Sequence, residues 1–397
     1  MEGRWDTMVS DQQLLRCLAL LMLLVEIGAQ EGTAAKPEHQ AAPLALQGNS
    51  WCAITPYPQQ NEAAEFIASP PRQVELEEPA TSQQSKAGWW IGSTGGIIWG
   101  RAREIVFDNS GVQNQNDYLS ELLWDLKHTP LFGIKSDWRG KRANHLRMEL
   151  SFAIPNMPVG EMEDYDWFYT DRDWSHWSLS RVRLRWGFIL DVSYEEVLAS
   201  SGFFKLKLGL GYHMDWWGWK DKIEDSLYSS FVRRINRKIP DKFSSVLKDG
   251  FRDRADVLSR GINGINYFAM YHAPLLTVRG SFEWDVIALS VLGRVGPVLG
   301  IGKDHHLLRT EFGPDGVFFY DIVFGGPWVD TSLEIEFKIT HRFLLSFRGE
   351  YAWLNETRGF SIMVPTNEKP ASAGRKKGGL AFRRVGVNVF ALWKLGQ

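Results

Sequence analysis

The chain has 397 residues, with 45 Lys and Arg against 47 Asp and Glu and a formal net charge of −2. A near-neutral chain lacks the electrostatic basis for nucleic-acid binding, which comes from neutralising backbone phosphates. Aromatic residues reach 13%, and 18 are Trp. That content suits a membrane barrel with aromatic girdles or a Trp-rich soluble carbohydrate binder.

At the N-terminus, Arg16 precedes the apolar run "CLALLMLLVEIGA". This run is too short to cross a bilayer as a helix, so residues 1–29 read as a secretory signal, with Ala29 and Ala35 as possible cleavage points. Cys17 lies in this leader and Cys52 beyond it. Removal of the leader leaves one thiol and no intramolecular disulfide. Residues 30–87 are rich in Ala, Gln, Pro and Glu. Such a composition cannot bury a core and predicts a polar, low-complexity, disordered segment.

From Trp89 onward the pattern becomes strict alternation. "LRMELSFAI" (146–154) sets Leu146, Met148, Leu150, Phe152 and Ile154 against Arg147 and Glu149. "RVRLRWGFIL" sets Val182, Leu184, Trp186, Phe188 and Leu190 against Arg181, Arg183 and Arg185. "FFKLKLGLGY", "LEIEFKI" and the run from Arg384 to Trp393 alternate in the same way. Period two gives a strand two faces, one apolar and one charged. Together with a secretion signal, this predicts an all-β fold, a ten-stranded antiparallel transmembrane β-barrel with long extracellular loops, because lipid leaves no backbone group unpaired.

The expected strands span 89–108, 117–127, 142–154, 179–193, 202–213, 266–278, 283–300, 329–340, 342–354 and 379–395. The charged faces are expected to point inward and pair as an ionic lattice, not an open channel. With both ends periplasmic, the outer loops are 109–116, 155–178, 214–265, 301–328 and 355–378.

Two of these loops carry candidate chemistry. "MEDYDW" (162–167) holds Asp164 and Asp166. In an extended segment this i, i+2 spacing puts both carboxylates on one face, where they can share a proton and hold a water. "GKDHHLL" (302–308) holds Asp304, His305 and His306. A carboxylate beside an imidazole orients it and raises its basicity. Convergence of the two motifs would let His306 act as general base on a water positioned by Asp164, with Asp304 behind the ring. The competing chemistry is zinc held by His305, His306 and an Asp. "DHH" also occurs in a phosphoesterase family, whose α/β pattern and further Asp motifs are absent here.

These residues resemble the omptins, the outer-membrane proteases of Gram-negative bacteria. "MEDYDW" and "DHH" are similar to the family's two acidic blocks, and "WGRARE", "MYHAPLLTVRGSFEWD" and "FRGEYAW" to segments of its strands. The resemblance implies a ten-stranded outer-membrane barrel, with its active site outside the cell. It further implies a monomer that acts on peptide or protein substrates. It implies catalytic roles for Asp164, Asp166, Asp304 and His306, a minor role for Ser175, and no metal. It also implies lipopolysaccharide, an outer-membrane lipid, as a required cofactor. Omptins favour cleavage between basic residues, and Glu104 matches the acid of the pocket for the residue before the cut. The second acid of that pocket is expected two positions before Asp304, where this chain has Gly302. The alternatives are an adhesin or receptor barrel, a lipid-modifying barrel hydrolase with a Ser nucleophile, and a porin.

Overall fold

The computed structural model describes residues 87–107, 118–140, 144–167, 176–228, 261–367 and 372–396. The expected leader, the polar segment up to residue 86, both cysteines and Ser175 lie outside the described residues. Eleven β-strands run in chain order: β1 (Gly88–Phe107), β2 (Tyr118–Arg139), β3 (His145–Ala153), β4 (Pro158–Asp166), β5 (His176–Ser201), β6 (Phe204–Tyr228), β7 (Ile265–Glu283), β8 (Ile287–His306), β9 (Val317–Thr340), β10 (Phe343–Pro365) and β11 (Ser372–Leu395). Every described pairing is antiparallel, and β1 pairs with β11 as well as β2, so the sheet closes on itself. Among the described residues no helix is long and apolar enough to cross a membrane.

Eleven strands make ten staves. β3 and β4 both pair with β2 on one side and β5 on the other, so they are two halves of one stave. Pro155 and Pro158 explain the break, since proline cannot donate to a ladder. Asn156 turns the chain with φ 61° and gives its N–H to the Leu184 carbonyl at 2.6 Å.

All ten expected strands have a counterpart, but most continue much further outward than the alternation indicated. β9 begins at Val317, twelve residues before its expected start, and β6 runs to Tyr228. At about 3.3 Å per residue, a 26-residue strand such as β5 is roughly 85 Å long and overreaches a ~30 Å hydrocarbon core even when tilted. Beyond the lipid, outward-facing positions need not be apolar. The period-two signal fades there while the backbone ladder continues.

Exposed apolar residues such as Ile134, Leu210, Val291 and Val389 cover the wall. Aromatic groups lie at two levels on it. Near the chain ends these are Trp89–Trp138, Phe203–Trp284 and Phe343–Trp393, and at the opposite level they are Trp186, Trp216 and Phe268.

The lumen is filled. Lys135 and Arg147 both reach Glu334, at 2.7 and 3.0 Å. Arg279 forks onto Glu195, Arg348 meets Glu149 at 2.7 Å, and Arg384 meets Asp215 at 3.0 Å. A cavity of ≈ 30 Å³ interrupts this lattice, beside His213, Arg294 and Asp330. Nearer the mouth, Trp124 and Trp219 stack on Tyr267, all three buried, and close the lumen with aromatic rings.

One face assignment is corrected. Arg181, Arg183 and Arg185 do not point inward; they are exposed, while Val182 and Leu184 are fully buried. A β-bulge between Leu184 and Trp186 reverses the alternation, so Arg185 and Trp186 both face outward. The apolar run 182–190 is continuous in sequence but changes sides of the wall at the bulge.

Candidate active site

The expected site residues sit on strands, not on the outer loops to which the alternation assigned them. Asp164 and Asp166 end β4, inside the expected loop 155–178, while Asp304 and His306 end β8, inside the expected loop 301–328. Strand geometry delivers the i, i+2 spacing: Met162 belongs to the buried core, so Asp164 and Asp166 share its inward face. On the opposite face, Tyr165 donates to Glu163 at 2.5 Å and packs on Trp167, which anchors the strand.

Across the mouth, Asp304 pairs in register with Tyr267 of β7 and Phe319 of β9. Its Oδ2 contacts Nε2 of His306, and Phe319 meets the imidazole edge-on at 5.3 Å. A carboxylate on Nε2 leaves Nδ1 as the nitrogen free to work on a water. His305 takes another direction: it stacks on Phe318 at 4.0 Å, and its Nε2 meets the Asp315 carbonyl at 2.7 Å. The two neighbouring histidines therefore turn to different partners. Among the described residues no group of three or more His, Cys, Asp or Glu is arranged to hold a metal ion.

The two halves act on each other electrostatically. Burial pushes the Asp164 carboxyl well above the usual carboxylate range, and Asp166 and Asp304 add to the shift. Burial lifts Asp166 to about 6, against Ser120, Arg309 and His306, which favour its ionised form. Arg309 thus approaches both acids from the turn after β8, a cation that the sequence reading did not single out.

Glu104 lies on β1, opposite Leu122 of β2, and Leu122 in turn lies opposite Asp164, so one row of the sheet carries both acids. It is 2% exposed. Burial, followed by Asp304, Asp321 and Asp164, pushes its carboxyl well above the usual range. Asp321 is a residue the sequence reading missed. It is an inward-facing acid in the aromatic stretch "VFFYDIVF", and burial lifts it to about 7. Its signal was a lone carboxylate in an apolar run, in a stretch expected to be loop.

A family model described as the omptin family matches residues 90–391. The chain belongs to the omptin family. This places it in the bacterial outer membrane, among a family of proteases. Among solved structures, the omptin-like barrel is similar to the outer membrane protease OmpT from Escherichia coli. The TM-score is 0.65 at 14% identity, and the match covers 80% of this chain and 99% of that one. This likeness bears on the fold. The translocator domain of the autotransporter NalP from Neisseria meningitidis matches at a TM-score of 0.28 and 10% identity, over 76% of this chain and 88% of that one. No curated protein matches the sequence.

Proposed function

We propose that this omptin is an endopeptidase whose water is activated between Asp164 and His306 at the extracellular mouth. The observation that carries this reading is the meeting, at one end of the barrel, of two buried acids on one strand face, Asp164 and Asp166, with an imidazole in contact with Asp304. Asp304 orients His306 and stabilises its protonated form. The water gives a proton to Nδ1 and its oxygen attacks the scissile carbonyl carbon. The C–N bond then breaks, and the amine leaves with a proton returned from His306 or from the Asp pair. No covalent intermediate and no metal take part. Substrates are peptides or unfolded protein segments, with basic residues beside the cut, and the barrel acts as a monomer.

Cations on the outer wall support a role for lipopolysaccharide, the cofactor the family implies. Above Trp186 and Trp216, Arg181 and Arg183 of β5 pair in register with Lys222 and Lys220 of β6, and Arg185 adjoins them. Exposed cations directly above an aromatic belt suit the phosphates of an anionic lipid whose chains lie on the apolar wall. Arg181 already meets Glu224, and the negative charge of the lipid, when bound, would relieve repulsion among the other cations and stiffen β5, the strand that backs β4.

The test is cleavage of a random peptide library by the full chain, refolded in detergent with lipopolysaccharide, beside a His306→Ala variant. Cuts that vanish in the variant support the protease. Identical peptide profiles from two folded barrels would move the assignment to a binding role.

A further inference from the structure

We propose that Asp321 is the second acid of the specificity pocket, supplied by β9 in place of the side chain that Gly302 lacks on β8, and that it and Glu104 together receive a Lys or Arg side chain. This rests on the protease reading and names a determinant of its selectivity.

Placement comes first. Gly302 and Asp321 are direct partners in the β8–β9 ladder, so the acid has moved one strand along the same row. Asp321 is 1% exposed, faces inward, and approaches Glu104. A Cβ built on Gly378 of β11 would lie 2.2 Å from Asp321 Oδ1. That position must be glycine for the carboxyl to reach across. A Cβ on Gly302 would lie 2.9 Å from Leu380 Cδ2 and 3.2 Å from the Tyr267 hydroxyl. The space an acid at 302 would need is therefore partly filled from across the lumen.

The pocket also lacks a cation among the described residues. Glu104 and Asp321 meet each other and Ser361 lies at Asp321, yet neither carboxyl has a cation, and the Tyr267 hydroxyl is buried without a hydrogen-bond partner. Tyr267 is 1% exposed and directs its hydroxyl into the space beside Gly302. Among the described residues no Lys or Arg makes an ion pair with Glu104 or Asp321, whereas lattice acids such as Glu334 are paired. Buried polar groups left without partners are costly, and a site that needs a ligand is a reason to keep them. The chemistry selects the ligand. Two facing carboxyls and a phenol oxygen offer acceptors to a guanidinium or ammonium group, and Trp124 and Trp219 stacked on Tyr267 floor the pocket. Entry of a cation lets both carboxyls ionise, so binding releases a proton.

The experiment uses the full chain refolded in detergent with lipopolysaccharide, and two peptides that differ only in Arg or Leu before the cut. Asp321→Asn is expected to lower kcat/KM for the Arg peptide by roughly tenfold to a hundredfold, the effect of removing one charged hydrogen-bond partner. The Leu peptide should be unaffected or cut faster, so the ratio of the two collapses. Gly378→Ala, which displaces the carboxyl without removing it, should shift the ratio the same way. It keeps the test alive if Asp321→Asn fails to show the heat-modifiable mobility of a folded barrel. An unchanged ratio in a folded variant overturns the inference. Agmatine binding, followed by Trp fluorescence, reads the pocket without cleavage. The wild type should bind it, and Asp321→Asn should bind about tenfold or more weakly. Absent or Asp321-independent binding also overturns the inference. A barrel that binds agmatine through Asp321 but cuts no peptide would sink the protease reading and leave the pocket standing.

Discussion

The middle of the barrel and its mouth both bury acids, and they treat them in opposite ways. In the middle, Glu334 takes Lys135 and Arg147, Glu195 takes a forked Arg279, and Asp330 takes Arg294 at 2.7 Å. At the mouth, Glu104, Asp164 and Asp321 have no Lys or Arg ion partner among the described residues, and Asp304 is held only by His306. Paired charges hold the staves in register and fill the lumen. Acids without a fixed cation cost stability and persist where something else must bind or react. Pairing, more than the presence of charge, separates scaffold from site in this wall.

The largest expected effect is on chemistry. Asp164→Asn and His306→Ala should each lower peptide hydrolysis by roughly 10²–10⁴-fold, the range for loss of a general acid or base. Heat-modifiable gel mobility should stay that of a folded barrel. Near-wild-type rates in both variants would break the assignment.

Stability should divide the two regions. Glu334→Ala strands Lys135 and Arg147 and should cost about 3–5 kcal/mol, read as a lower urea midpoint in lipid vesicles. Glu104→Gln removes an acid with no ion pair among the described residues, and its midpoint should stay level or rise. Equal losses in both would erase the distinction.

The pH dependence follows from the direction of the mouth shifts. Asp166 and Asp321 hold their protons to about 6 and about 7, above the ordinary Asp value of ~3.9. Between these values the folded state binds more protons than the unfolded one. Their contribution is therefore complete below pH ~4 and is lost as pH rises through 6 to 7. The wild-type midpoint should fall from pH 5 to pH 8, and Asp321→Asn should flatten that fall.

Smaller effects are expected on the outer wall. The double variant Arg181→Ser, Arg183→Ser should lose activation by lipopolysaccharide while its unfolding free energy changes by no more than ~0.5 kcal/mol, as for exposed sites. Addition of a chelator should leave hydrolysis unchanged. Inhibition reversed by zinc would replace the water mechanism with a metal one.

Much of the architecture was legible because lipid enforces a simple code. Where a strand crosses the bilayer, every second side chain must be apolar, so Leu146–Ile154 and Leu333–Ile339 announce their faces. The code lapses above the membrane, and the outer halves of β6 and β9 and all of β4 read as loop. The bulge after Leu184 shows a second limit. Alternation was unbroken from Val182 to Leu190, yet the face reversed, because one extra residue in the ladder changes the side without changing the pattern.

By itself, the sequence determined the wall, the number of staves, and the two short motifs that put paired acids and an Asp–His pair on inward faces. Those are local facts, set by period-two geometry within single strands. Only the tertiary structure decided which carboxylates meet. Glu104, Asp164 and the Asp304–Asp321 hairpin come from three parts of the chain, and their meeting depends on ring closure and register. The role of Asp321 depends further on two absences, at Gly302 and Gly378, that acquire meaning only when a third strand occupies the space.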